Sequence, residues 1–280
     1  MSSPGRHEGA LAELPADPAG LARVIQGLLL HEHWAPSYGV TLSDERRAQS
    51  HIRPLAEMLD RLVGEDGRPL AEARELDHRL VGICRHFALF LAAALRAHGV
   101  PARARCGFGA YFIPRQFEDH WVCEYWNAAE RRWILADAQI DAHQRSLLNI
   151  DFDSLDVPRD RFIIAGDAWA QCRRGDADAG AFGIFHMRGL WFISGNVVRD
   201  YAALNHMEML PWDAWGAMLA PDATATADQL ALLDRLAALA QSSDAAHAEL
   251  RALYERDDGV RVPATVFNAV RLRPEDVVVS

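Results

Sequence analysis

The sequence has few cysteines, no long apolar run and no surplus of basic charge, and each shortage excludes a class of protein. Its four cysteines, at 84, 106, 123 and 172, form no CxxC pair and no spacing of a disulfide scaffold. Reduced thiols in a cytoplasm are the expectation. No apolar stretch reaches the ~20 residues that span a bilayer. The first twenty residues mix Ser, Pro, Gly and charge without the apolar core of a secretion signal. Lys and Arg number 29 against 39 Asp and Glu, a formal net charge of −10. That balance excludes a general affinity for nucleic acid or anionic membrane, which needs clustered cations, and leaves only a local basic pocket open. The sequence contains no internal repeat.

What is present is a chain of 280 residues, 50% hydrophobic, enough to bury a large core. The expected organisation is a flexible segment over residues 1–20, a main domain over 21–220 with its core at 76–140, and a helical segment with a tail over 221–280. Residues 21–30 read as a short amphipathic helix, followed by a loop holding His31, His33 and Trp34. Two histidines without a third ligand nearby read as structural, not metal-binding. Ser43 followed by Asp44 and Glu45 reads as an N-cap with an acidic first turn, Pro54 interrupts, and a helix resumes at Leu55. Residues 64–67 read as a turn.

The chain is organised around residues 82–88, where a thiol sits at the start of a helix. Ile83, Phe87, Leu91 and Leu95 recur every fourth residue, the other side is rich in Ala, and His98-Gly99-Val100-Pro101 is a stop signal. The helix therefore reads as largely buried, with Cys84 in its first turn. There the unpaired N–H groups and the positive end of the dipole favour thiolate, the nucleophilic state. Arg85 and His86 read as helix surface.

Beyond this helix the period becomes alternating. Residues 102–112 suit a strand with one wet face carrying Arg103 and Arg105. Two aromatic and β-branched runs, 120–126 and 133–137, flank the polar turn 127–132 and make a hairpin. Pairing Trp126 with Trp133 sets Glu124 opposite Leu135, Val122 opposite Asp137 and His120 opposite Gln139. His120 and Asp137 then share one side, roughly 7–8 Å apart at the backbone. Residues 141–160 are rich in Asp and read as irregular. Residues 161–166 read as a short strand and 167–173 as a helical turn or two, and 185–215 read as an aromatic core with capping residues. Residues 227–256 read as one or two helices broken near Ser243-Asp244, and 259–280 as a strand-like or loose tail.

A thiol, an imidazole and a carboxylate thus occur in chain order. A Cys nucleophile needs a base for its proton, and that His needs a carboxylate to fix its tautomer and steady the imidazolium. The Cys84 N–H, at a helix start, suits an oxyanion hole. Trp34, with its indole N–H, is the candidate second donor, and Gln139 an extra polar group of the site.

These segments resemble the transglutaminase-like superfamily. The likeness lies in the Gly-x-Cys-x-x-Phe-Ala block (Gly82, Cys84, Phe87, Ala88), a His followed by Val and Glu on a strand (His120, Val122, Glu124), and a Trp-x-x-x-Asp block (Trp133, Asp137). It covers residues 76–140. Trp121 directly after His120, and Cys123 before Glu124, depart from the usual His block. The resemblance implies an α+β, papain-like fold with the active-site helix packed on an antiparallel sheet, here with additional helices at both ends. It also implies a Cys84-His120-Asp137 triad.

The activity expected is thiol-dependent acyl transfer or amide hydrolysis through a thioester on Cys84, on a peptide or small-molecule amide. No cofactor, metal, nucleic acid or membrane partner is expected, and the sequence leaves the oligomeric state open. Two other classes compete: a catalytically silent binding scaffold of the same fold, and a zinc module using Cys106, His120, Cys123 and Cys172. The zinc module is disfavoured because residues three apart on a strand point to opposite faces.

Overall fold

Local signals set the first long helix. Asp17 accepts the Gly20 N–H at 2.8 Å as N-cap and Pro18 takes the first helical position, so the helix runs Pro18–Leu28. A strand, Leu29–His31, follows directly, where the helix was expected to run on to residue 30 and give way to a loop, because its backbone pairs in parallel with Leu80–Gly82. The computed structural model describes residues 1–64, 68–221 and 223–277, so the turn expected at residues 64–67 falls largely outside the described residues. The architecture is mixed helix and sheet, α+β as expected. It divides into two compact units: Met1–Ala104 with Trp121–Pro158, and Arg105–His120 with residues 159–277. The division falls within two strands, Ala102–Gly109 and Phe117–Asn127, and not near residue 220.

In the first unit the Cys84–Ala97 helix is the central element, buried from Cys84 through Leu95. Its Phe87, Leu91 and Leu95 share one core with Ile25 and Leu28, with Met58 and Leu59 of the Leu55–Gly64 helix, and with Cys123, Tyr125, Ile134 and Ala136 of an antiparallel hairpin. The Cys84 helix therefore packs on an antiparallel hairpin. Gly99, at φ 75°, ends the helix where the stop signal lies. Residues 1–20, expected to be flexible, form helical turns at Gly5–His7 and Glu8–Ala12, because Leu11 and Leu14 are drawn into the same core. Ser43 caps Asp44–Ala48 through the Arg46 N–H, as the sequence indicates.

The hairpin pairs Trp126 with Trp133 and Glu124 with Leu135, the expected register. The ladder stops at Cys123 and Ala136. The further pairs Val122–Asp137 and His120–Gln139 do not form, because the Asp137 N–H donates instead to Ser154 O at 2.6 Å. On the hairpin face away from the core, Arg103 donates to Glu124 at 2.7 Å and lies 3.9 Å over the Trp133 ring. Residues 142–147 are a helix and not irregular, since Asp141 caps the Gln144 N–H at 2.8 Å.

In the second unit Gly107–Gly109 pairs antiparallel with Phe162–Ile164, and Phe117–Glu118 pairs in parallel with Phe182–Gly183. Helices Ala165–Arg174, Leu190–Ala203 and Ala227–Gln241 pack together. Tyr201 OH donates to Leu250 O at 2.8 Å and so ties in the His247–Arg256 helix. Arg105 is not on a wet face: it is buried, donating from Nε and Nη2 to the Asp200 carboxylate at 3.0 and 2.8 Å. The tail forms two antiparallel strands, Thr265–Asn268 and Arg273–Asp276. No helix among the described residues is long and apolar enough to cross a membrane.

Leu91, fully buried on the Cys84 helix, sets a stability prediction. Leu91→Ala should cost about 2–5 kcal/mol in urea unfolding, whereas Leu147→Ala, at a half-exposed position, should cost under ~0.5 kcal/mol.

Candidate active site

Cys84 occupies the first position of its helix, and its side chain is 7% exposed. The residue before it, Ile83, is extended and has no side-chain acceptor for capping. His86 caps the helix in its place, with Nδ1 accepting the Ile83 N–H at 3.2 Å and Nε2 lying 3.0 Å from Ile52 O. An accepting Nδ1 leaves the proton on Nε2, so Nε2 donates to Ile52 O and the ring is neutral. Burial pushes the imidazole down to about 3, aided by the neighbouring Arg85 cation. Arg85 is buried as well, donating to Ile52 O at 3.4 Å and Arg53 O at 2.6 Å. Both residues were expected on the helix surface. Carbonyls more than thirty residues earlier in the chain draw them inside. Gly82 leaves room for this arrangement, since a Cβ there would come within 3.0 Å of the His86 Cβ.

Asp137 follows the second hairpin strand and is buried in the first unit, between Ala136 and Ala138, which belong to the core that holds Phe87. Its Oδ1 accepts the Gln139 N–H at 3.0 Å, a local turn that orients the carboxylate. Gln26, on the Pro18–Leu28 helix, donates to both Ala138 O and Ile140 O, at 3.0 and 3.2 Å. Gln139 is buried, and its Nε2 donates to Gln144 Oε1 at 3.0 Å. Gln26 and Gln144 were not singled out in the sequence. Asp141-x-x-Gln144 is, however, a capping pattern that marks one of them.

His120 belongs to the second unit, where it is buried among Phe112, Tyr111 and Phe162, with ring centroids 4.8, 5.9 and 6.2 Å away and the rings edge-on. The preceding Asp119 is held by Asn196 Nδ2 at 2.8 Å, and Asn196 Oδ1 in turn accepts from Arg199 Nη1 at 3.0 Å. Burial pushes the Asp119 carboxyl up, against the pull of Arg199 and the Asn196 hydrogen bond. This chain of bonds anchors the strand immediately before His120.

Trp34, half-buried, opens a short turn, Ala35–Tyr38, just beyond the Leu29–His31 strand that pairs with the one leading into Cys84. His31 accepts the His33 N–H at 3.2 Å and stacks on Phe87 at 6.4 Å, a structural role. Cys106 and Cys123 are fully buried, and burial raises the Cys123 thiol far above its usual range. Cys172 is pushed up to about 11, again by burial. No group of three or more His, Cys, Asp or Glu among the described residues could hold a metal ion, so the zinc arrangement gains no support.

A buried thiol thus stands at the first position of a helix that packs against an antiparallel hairpin. Residues 59–138 match the transglutaminase-like superfamily. The chain is also 33% identical, over 148 residues, to a protein-glutamine gamma-glutamyltransferase of Pseudomonas aeruginosa. The alignment covers 46% of this chain and 21% of that protein, so the chain spans about a fifth of the relative's length. No solved structure matches.

His86 generates a pH prediction. Its folded value lies below the ordinary 6.5, so its contribution to stability is complete above about pH 6.5 and is lost as the pH falls toward 3. The expected slope is ~1.4 kcal/mol per pH unit in that window. Urea midpoints measured between pH 7.5 and 4.5 should fall less steeply in His86→Gln than in the wild type.

Proposed function

We propose that this chain is a cysteine-dependent acyltransferase or amidohydrolase, with Cys84 as nucleophile, His120 as base and Asp137 as the acid that orients it. One observation carries the reading: the buried thiol takes the first position of a helix inside the stretch that matches the transglutaminase-like superfamily.

In this mechanism Cys84 Sγ attacks a carboxamide carbonyl. The first N–H groups of a helix lack intrahelical partners, so the Cys84 N–H is available to bind the oxyanion, with the Trp34 indole as second donor. His120 returns the thiol proton to the departing nitrogen, and a thioester remains. Water then yields the acid, or an amine yields a new amide, and the thiol is regenerated. The name of the Pseudomonas relative makes the side-chain carboxamide of a peptide glutamine the first acyl donor to test. The 29 basic residues are all arginine, so the chain offers no lysine ε-amine of its own and the acceptor must be supplied. A reducing compartment such as the cytoplasm would keep the thiol available.

The test incubates the protein with a glutamine peptide and a labelled primary amine, and follows both acyl adducts by intact mass and amine incorporation. Wild type should form an adduct on Cys84. Cys84→Ala and His120→Ala should abolish turnover with unchanged melting curves, and Asp137→Ala should lower it by ~10³-fold or more. Iodoacetamide should alkylate Cys84 at neutral pH faster than Cys106, Cys123 or Cys172. Equal rates would remove it as the nucleophile.

A further inference from the structure

Around residues 137–144 the first unit contains a line of hydrogen bonds whose direction is fixed from one end. Asp141 Oδ2 accepts from Tyr38 OH at 2.7 Å. A carboxylate only accepts, so the hydroxyl proton points to Asp141 and the tyrosine oxygen is left to accept. It does so from Gln144 Nε2 at 3.1 Å. That turns Gln144 Oε1 inward, where it accepts from Gln139 Nε2 at 3.0 Å. The two ends of an amide are ordinarily assigned from the surrounding network, and here the acceptor-only end decides both glutamines. The consequence falls on Gln139. Its nitrogen is committed to Gln144, and its Oε1 faces the other way, buried and without a hydrogen-bond partner among the described residues.

Gln139 is 2% exposed, two residues past Asp137, and its own N–H holds the Asp137 carboxylate. Its backbone is clamped on either side by Gln26, through Ala138 O and Ile140 O. The unpaired acceptor therefore sits on a stiff stretch of chain, with side chain and main chain both held.

We propose that Gln139 determines specificity: its Oε1 accepts an N–H from the carboxamide –NH2 of the acyl donor, and so favours amides over esters of the same acyl group. This rests on the thiol acyl-transfer reading above. An amide nitrogen carries hydrogens to this acceptor, whereas an ester oxygen presents only lone pairs. A site built to bond an N–H rejects the analogue that lacks it, because the acceptor is then left unpaired. Gln139 exchanges no proton. The C–S bond forms, the C–N bond breaks, and ammonia leaves with the proton that came from the thiol.

The test compares two versions of one peptide, carrying either glutamine or the γ-methyl ester of glutamate at the same position. Thioester formation on Cys84 is followed by rapid quench and intact mass, giving kcat/KM for each peptide. In Gln139→Met the amide rate should fall about tenfold to a hundredfold while the ester rate changes less than about twofold, so the amide-to-ester ratio collapses. Asp141→Asn provides a milder variant. Asn still accepts the Gln144 N–H as N-cap, but it also donates, which frees the line of bonds to reverse, and the ratio should fall part of the way. Equal losses on both peptides, or an unchanged ratio, overturn the assignment and make Gln139 a packing residue or a holder of water. A wild-type protein that forms no thioester with either peptide overturns the acyl-transfer reading itself, and this inference with it.

Discussion

The hydrogen bond from the Ile83 N–H to His86 Nδ1 fixes where the Cys84 helix begins, and the rest of the first unit is arranged about that beginning. A helix start leaves backbone N–H groups without partners, and leaving one unsatisfied in a dry interior costs about 1–3 kcal/mol. Isoleucine has no oxygen to offer as a cap, so the third residue of the helix reaches back with an imidazole. The other ring nitrogen holds Ile52 O, and Arg85 holds Ile52 O and Arg53 O. One buried turn of helix thus ties the thiol-bearing element to a segment more than thirty residues earlier. The imidazole remains uncharged because burial disfavours its proton.

A second constraint acts at the other acidic element. The Asp137 N–H leaves the hairpin ladder for Ser154 O, and the chain then turns back on itself through the Gln139 N–H. Strand register brings the chain to Asp137, but side chains from elsewhere hold residues 138–144: Gln26 from an early helix, and Tyr38 from the turn after Trp34. The carboxylate is therefore fixed by the loop after the strand and not by the sheet itself.

Legibility in the sequence followed the range of the interactions. The Cys84 helix and its stop at Gly99, the Ser43 cap and the Trp126–Trp133 register were readable because each is settled by neighbours within a few residues or by a two-residue alternation. Arg85, His86 and Arg105 were misplaced on wet faces because their partners, Ile52, Arg53 and Asp200, lie 32 to 95 positions away, and charge in a local window argues for solvent. The helix at Ala142–Leu147 was hidden by the Asp-rich run, although Asp141 is its cap. Cys84, Asp137 and Gln139 could be singled out by chemistry and spacing. Their burial, and the bonds that orient the last two, required the folded chain.

The line from Asp141 through Tyr38 and Gln144 to Gln139 also bears on how such a sequence can drift. Asp141 only accepts, and Tyr38 and Gln144 each donate to one neighbour and accept from the other, so a replacement that inverts one role mismatches the next position as well. Four positions scattered over about a hundred residues are in this sense inherited together. Among related chains, a change at 141 that removes the acceptor-only carboxylate should travel with compensating changes at 38, 144 or 139, and a family tree would record the polarity of the line even where the residues differ.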